Sequence, residues 1–305
     1  MKDIFTFADL RSWAPKKTKA PIRLGVFGHP VAHSLSPRIQ NAALKEAGIA
    51  MSYERFEIAP EELQGALQLL SPLGFIGVNL TVPHKIAALQ FVDELDETAR
   101  KIGAINTLKV EQGRFRGFNT DGRGFARAIR EEFSVDLRDL RILILGAGGA
   151  ARAIALQCAK ENCERLVIAN RDMAKAQALR EQLREFFAGP RVLGPVSRLQ
   201  AIGLDEAALR FQIANIDLLV NATPLGLRRG DAPPIPTRLL VPHLMVYDTV
   251  YASVPTPLVS EAIEAGARAT NGLSMLLHQG ALAFEIWFDR AAPLEAMRKA
   301  LGRGD

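Results

Sequence analysis

Apolar positions in the first part of the chain alternate between two periods. A strand-like run at 22–27 gives way to a helical stretch at 37–47 that ends at Gly48, and then to a second strand-like segment at 52–58. Proline at the start of that helix and glycine just past its end are the expected punctuation. After Pro60, the residues Leu63, Ala66, Leu67 and Leu70 recur at i, i+3, i+4 and i+7, the spacing of one buried helix face, and 75–79 reads as the next strand. Strands separated by single helices imply right-handed crossovers and a mainly parallel sheet. The segments 105–110 and 114–118 flank Glu111-Gln112-Gly113, which predicts a hairpin and an antiparallel edge on this first sheet.

A helix at 121–133 leads to Arg141-Ile142-Leu143-Ile144-Leu145, an apolar run that reads as a strand buried on both faces and as the start of a second sheet. Helices at 149–160 and 172–187 and strands at 166–169, 191–196, 217–220 and 244–247 complete this second α/β unit. The chain from Leu273 onward is helical. Residues 1–20 carry Lys16, Lys17 and Lys19 beside prolines, after a short apolar patch that includes Leu10 and Trp13, and predict an extension that packs loosely.

Length and composition agree with this layout. The 305 residues suffice for two hydrophobic cores, and 48% apolar with 23% charged residues is the balance of a folded globular chain. The net charge of +5 could suit a polyanion, but the 38 basic and 33 acidic residues are interspersed without a block of like charge, which argues against a nucleic-acid partner and suits small anionic ligands equally well. No apolar run approaches the ~18 residues of a membrane span, and no signal-like stretch opens the chain, so the expectation is a cytoplasmic protein. Cys158 and Cys163 lack the spacing of a redox or zinc motif, and His29 and His33 have no third ligand at metal spacing; no metal is expected.

Gly146-Ala147-Gly148-Gly149-Ala150-Ala151 fits G-x-G-x-x-A between a buried strand and a helix, the context that makes this motif specific for a dinucleotide. Gly146 makes the tight turn, Gly148 lets the backbone approach a pyrophosphate, and the helix N-terminus offers unpaired N–H groups to its charge. NAD-binding folds usually end the next strand with an acidic residue. Here that strand ends in Asn170-Arg171, with Lys175 four residues on, and the two cations favour the 2'-phosphate of NADP. Asp172, one position beyond Arg171, keeps NAD as the lesser alternative.

Four polar clusters occupy strand ends or loops of the first half: residues 28–37, 79–85, 103–107 and 117–122. Each alone is ordinary turn or cap chemistry, Ser36 before Pro37 being a candidate helix N-cap. Together with the glycine turn and the motifs Asn221-Ala222-Thr223-Pro224-Leu225-Gly226, Asp248-Thr249-Val250-Tyr251, Asn271-Gly272-Leu273-Ser274-Met275 and Gln279-Gly280-Ala281, they resemble, in order and across residues 23–288, the shikimate dehydrogenase family.

The resemblance implies an α/β fold of two domains that face each other across a cleft. A mainly parallel α/β substrate domain would comprise residues 1–122 plus 272–305, and a Rossmann-like doubly wound NADP-binding domain residues 123–271. It implies NADPH-dependent reduction of 3-dehydroshikimate to shikimate, in aromatic amino-acid biosynthesis; the expected assembly is a monomer or homodimer. By the same resemblance Ser34 and Ser36 hold the substrate carboxylate, Asn79, Thr81, Asn106 and Gln279 bond its ring hydroxyls, and Tyr251 lies at the substrate end. Lys85 and Asp121 match the catalytic pair, and Thr223, Thr249, Gly272 and Met275 fall near the nicotinamide. Charge builds on the oxygen of a carbonyl that accepts hydride, and Lys85 would meet it with a proton.

The chain departs from the family pattern at Gln40, where histidine is frequent, and at Ser253, where proline is usual. Two alternatives remain at this point. One is a quinate or dual quinate/shikimate dehydrogenase that uses NAD, against which the Ser34/Ser36 pair weighs. The other is a nucleotide-binding sensor without turnover, against which the presence of both Lys85 and Asp121 weighs.

Overall fold

The structure, a computed structural model, describes residues 3–13, 20–188, 197–228, 230–251 and 254–302. The chain divides into two units, Met1–Gly124 with Leu276–Asp305, and Phe125–Met275.

The first unit begins with β1 (Phe5–Thr6), α1 (Phe7–Arg11), β2 (Ile22–Gly28), α2 (Ser36–Glu46), β3 (Ser52–Glu57), α3 (Leu63–Leu70), β4 (Gly77–Leu80) and α4 (His84–Ala87). It continues with β5 (Glu94–Leu95), α5 (Glu97–Ile102), β6 (Thr107–Glu111) and β7 (Arg114–Phe118). The sheet runs β1-β3-β2-β4-β6-β7-β5. The β6–β7 hairpin forms as predicted and β6 is antiparallel to both neighbours, but the hairpin is not the edge of the sheet, because β5 pairs parallel to β7 outside it. Leu63, Ala66, Leu67 and Leu70 of α3 are all buried, and they pack with Phe27, Phe56, Ile58 and Val78 into one core.

The start of the chain corrects the expectation of loose packing. Thr6 caps α1 in a reciprocal box with Asp9, β1 pairs with β3, and Leu10 is 1% exposed within the core. The Trp13 ring lies 5.3 Å from that of Phe5 and 6.1 Å from that of Phe56. The aromatic residues that read as a loose patch cover apolar surface beside β3, whose outer edge β1 closes. Lys16, Lys17 and Lys19 lie outside the described residues.

The chain then runs through α6 (Asp121–Phe133), β8 (Arg141–Leu145), α7 (Gly149–Lys160), β9 (Arg165–Ala169), α8 (Met173–Leu183), β10 (Leu199–Ile202) and α9 (Glu206–Ile213). After these come β11 (Leu218–Asn221), β12 (Met245–Asp248), α10 (Pro257–Glu264), β13 (Arg268–Asn271), α11 (Leu273–Phe288) and α12 (Leu294–Ala300). The second sheet is all parallel in the order β10-β9-β8-β11-β12-β13, a doubly wound arrangement whose order reverses beside its first strand, β8. The predicted strand at 191–196 lies outside the described residues. The predicted helix at 172–187 ends as an α-helix at Leu183 and closes with a tighter turn over Arg184–Phe187.

Among the described residues no helix is long and apolar enough to cross a membrane, and no group of His, Cys, Asp and Glu is placed to hold a metal ion. Cys158 and Cys163 are buried, and neither is in a disulfide.

Candidate functional site

Lys85 sits on the single-turn helix α4 that follows β4, and Asp121 opens α6 just after β7. Their side chains meet, with Nζ 2.5 Å from Oδ2, at 17% and 5% side-chain exposure. The carboxylate is held from one more direction, its Oδ1 accepting from Asn106 Nδ2 at 2.8 Å, and the Asp121 backbone N–H donates to Asn119 Oδ1. Among the described residues the ammonium has no partner besides Asp121, so two of its three N–H bonds are unused.

Asn106, 2% exposed, is the centre of the cluster. Its Nδ2 also reaches Thr120 Oγ1 and Gln279 Oε1, and its Oδ1 accepts from the Thr120 backbone N–H and the Thr107 hydroxyl. Gln279 approaches from α11 and packs on Gly124 of α6, which must be glycine: a Cβ there would lie 2.8 Å from the Gln279 backbone N. Asn79, in β4, is buried; Tyr53 Oη donates to its Oδ1, and its Nδ2 donates to Asn106 O and Thr107 Oγ1.

Five sequence-predicted residues, Lys85, Asp121, Asn106, Gln279 and Asn79, thus share one contiguous cluster. Thr81 follows β4 with a part-exposed side chain, packed so closely on Gly28 that a Cβ on the glycine would come within 2.4 Å of its methyl.

Ser34 Oγ accepts from the Ser36 backbone N–H at 3.3 Å, and Arg55 Nε donates to Ser34 O. Ser36 is not an N-cap. It is the first residue of α2, the cap position is Leu35, and no side chain caps the helix. Gln40, at the family's frequent histidine position, is fully buried and donates to Gly280 O on α11.

His84, beside Lys85, is fully buried. Because a carbonyl can only accept, its Nε2 carries the proton donated to Ile58 O, which leaves Nδ1 bare and without a partner. Burial pushes its pKa down. His29 pairs with Glu57 at 2.9 Å, and Trp287 is core, its indole N–H bonded to Leu108 O.

In the second unit the sequence-predicted residues gather at the carboxyl ends of the strands, the edge where parallel sheets take ligands. Gly146 follows β8 with φ +115°, and a Cβ there would stand 2.9 Å from Ala222 O, so only glycine fits. Gly148 is the N-cap of α7, with no side-chain cap and nothing within 4 Å of a built Cβ, while Ala147 is buried and Gly149 and Ala150 open the helix. Open space above uncapped amides is the cradle a pyrophosphate requires.

Asn170 follows β9 and donates to Asp172 O, and Arg171 and Lys175 are exposed. Asp172 caps α8, accepting from the Lys175 N–H, and its carboxylate stands 3.4 Å from Lys175 Nζ. These bonds to Lys175, the backbone one foremost, lower its pKa.

Thr223 and Thr249 follow β11 and β12, and both are tied to Asn221: Thr223 Oγ1 donates to its Oδ1, and the Thr249 N–H to its O. Gly272 follows β13 and cannot carry a side chain, since its Cβ would lie 2.2 Å from Thr249 O. The Met275 N–H donates to Tyr247 Oη. Tyr251 is half-buried in the loop after β12, and Ser253 lies outside the described residues.

Sequence reasoning gave no role to Tyr53 and Thr107 in the first unit, or to Asp248 and Thr256 in the second. Asp248 is fully buried, and burial raises its pKa; it accepts from Thr256 Oγ1, Asn221 Nδ2 and the Val250 N–H, bracing both loops at this edge. An acid at the end of an apolar strand, followed by the N-cap pair Thr256-Pro257, was the available signal.

Three family models match the chain: the shikimate dehydrogenase substrate binding domain over residues 26–108, shikimate / quinate 5-dehydrogenase over 127–192, and the shikimate 5'-dehydrogenase C-terminal domain over 272–301. A shikimate dehydrogenase (NADP+) of Methanopyrus kandleri is 46% identical over 280 residues, 91% of this chain and 94% of that protein. The Thermus thermophilus shikimate 5-dehydrogenase, solved with NADP(H) and shikimate, aligns with a TM-score of 0.79 at 37% identity, covering 92% of this chain and 99% of that one. A quinate dehydrogenase from Corynebacterium glutamicum, solved with NAD, aligns at 0.76 with 28% identity, covering 92% of this chain and 99% of that one.

Proposed function

The chain belongs to the shikimate dehydrogenase family, and from that membership we propose that it catalyses the reversible NADPH-dependent reduction of 3-dehydroshikimate to shikimate. NADPH, when bound, supplies the hydride that reduces the ketone carbon. Gly146, Ala147, Gly148, Gly149 and Ala150 would hold its pyrophosphate, Asn170, Arg171 and Lys175 its 2'-phosphate, and Thr223, Thr249, Gly272 and Met275 its nicotinamide end. The uncapped amides at Gly148 fit a diphosphate, and the exposed cations after β9 fit a further phosphate.

The observation that carries the reading is the Lys85–Asp121 pair, an ammonium fixed by one buried carboxylate with two N–H bonds unspent. Lys85 donates to the ketone oxygen as charge builds there and passes it a proton. Asp121, bonded on one oxygen by Lys85 and on the other by Asn106, orients the ammonium. Ser34 and Ser36 take the substrate carboxylate; the Ser36 hydroxyl has no protein partner among the described residues. Thr81 and Gln279 receive the ring hydroxyls, with Asn79 and Asn106 beside them as the family pattern implies and Tyr251 at the substrate end. We propose a monomer or a homodimer and place the protein in the cytoplasm, where pyridine nucleotides serve biosynthesis.

Steady-state kinetics with two substrates and two cofactors test the assignment. Shikimate with NADP should give a kcat/KM far above that of quinate with NAD; the reverse ranking refutes it. Lys85→Ala should abolish most turnover while NADP binding persists, and full turnover removes lysine as the proton donor.

A further inference from the structure

We propose that the Thr107 hydroxyl is a positioning residue for the Lys85–Asp121 pair, acting through a buried chain of hydrogen bonds that begins at Tyr53. The proposal rests on the reading of Lys85 and Asp121 given above.

The direction of every bond in this chain is forced by chemistry. Asp121 Oδ1 is a carboxylate oxygen and only accepts, so the group that faces it from Asn106 is the NH2. The Asn106 carbonyl then faces the other way, where the Thr120 backbone N–H and the Thr107 hydroxyl donate to it. Asn79 likewise turns its NH2 to Asn106 O, a carbonyl, and to Thr107 Oγ1, which leaves its own carbonyl to accept from Tyr53 Oη at 2.8 Å.

One hydroxyl therefore accepts from one carboxamide at 3.0 Å and donates to the next at 3.0 Å. The sequence runs Tyr53 to Asn79 to Thr107 to Asn106 to Asp121, each donor pointing the same way, and ends on the carboxylate that holds Lys85. Tyr53 and Thr107 are fully buried, and Asn79 and Asn106 are 5% and 2% exposed, so water does not compete for these groups. Aligned hydrogen bonds in such a medium polarise one another. Loss of the Thr107 hydroxyl strands an N–H of Asn79 and weakens the hold on the Asn106 carbonyl, and either amide can then rotate away from its present duty.

Two substitutions at this position separate positioning from packing. Thr107→Val keeps the volume and deletes the hydroxyl; Thr107→Ser keeps the hydroxyl and deletes a buried methyl. With shikimate and NADP, Thr107→Val should lower kcat by ~10- to 100-fold with the KM for NADP unchanged, while Thr107→Ser stays within ~3-fold of the parent despite a lower melting temperature.

Thr107→Val turning over within ~2-fold of the parent, or Thr107→Ser impaired as badly as Thr107→Val, overturns the proposal. Should the valine variant not fold, Tyr53→Phe removes the first donor and should lower kcat by ~3- to 10-fold; parent-like kinetics there overturn it equally. Lys85→Ala in the same assay distinguishes the two levels. An inactive Lys85→Ala beside a fully active Thr107→Val defeats only the positioning claim, whereas an active Lys85→Ala defeats the reading beneath it and the claim together.

Discussion

Replacement of Arg171 by alanine isolates the preference for NADP. Arg171 is exposed at the end of β9 and makes no hydrogen bond or ion pair among the described residues, so its removal breaks no protein contact. Its neighbour is less free, because Lys175 Nζ stands 3.4 Å from Asp172, whose carboxylate also caps α8. A hydrogen bond to a charged partner contributes about 1.5–3 kcal/mol, and solvent around Arg171 places it toward the low end of that range. At about 1.4 kcal/mol per decade this predicts a fall of ~10- to 50-fold in kcat/KM for NADP and none for NAD, which carries a hydroxyl where NADP carries the phosphate.

Asp172→Ser keeps an N-capping oxygen and removes the charge that occupies Lys175, so it should raise kcat/KM for NADP several-fold. The assay is initial rates with both cofactors at saturating shikimate, repeated at higher salt, where the Arg171 contribution shrinks by screening. An equal loss with both cofactors, or no loss with NADP, refutes the assignment of the 2'-phosphate to this strand end.

Gly148→Ala should leave the melting temperature unchanged and raise the KM for NADP at least ~10-fold, because a Cβ there meets only open space where a phosphate must approach; Gly146→Ala should instead lower the melting temperature, being strained at φ +115° and crowded by Ala222 O. His84 predicts a pH dependence of stability. Its folded pKa lies below the unfolded value of ~6.5, so its contribution is complete above that pH and is lost as pH falls through ~6.5 toward the folded pKa, by at most about 1.4 kcal/mol per pH unit; melts of the parent and His84→Gln between pH 5 and 8 should diverge toward acid, and parallel curves would contradict it. Leu10→Ala, at 1% exposure, should destabilise by about 2–5 kcal/mol, a drop of ~5–15 °C in melting temperature, with kcat retained at 25 °C; a shift under ~2 °C would mean that the start of the chain is dispensable to the core.

The sequence made legible what steric or periodic necessity writes locally. The turn at Gly146 must be glycine because of its φ and because Ala222 O stands where a Cβ would go, and the α3 face repeats at helical spacing because it covers the sheet. Lys85, Asp121, Asn106 and Gln279 emerged from matching motifs, and their meeting was invisible to spacing, since 158 residues separate Gln279 from Asp121. What escaped lacks a local signature. The strand β13 is part-exposed along Arg268–Asn271 with no apolar run, and β1 is a two-residue strand whose meaning depends on the edge it covers. Tyr53 and Thr107 look like ordinary strand residues, and only the bonds they make to carboxamides on neighbouring strands distinguish them.

A buried polar network of this kind is a poor way to stabilise a sheet, since apolar residues of similar volume often serve as well or better. Its retention at the ends of β4 and β7 is understandable if geometry is the purpose. In the first unit the deepest groups, Tyr53, Asn79, Thr107 and Asn106, are bonded chiefly to one another, while hydrogen-bonding capacity remains at the less buried positions: two N–H bonds on Lys85 and the hydroxyl of Ser36. Spare donors are stable only where water can meet them, so a ligand that replaces that water finds them already aimed. Asp121 is engaged on both oxygens, one by Asn106 and the other by Lys85, and its side chain is less exposed than the ammonium it holds. On the reading proposed above, this burial gradient suits a division of work in which the lysine meets the substrate and the aspartate fixes where it is met. A substitution that spares both but loosens Asn106 should damage turnover more than it damages the fold.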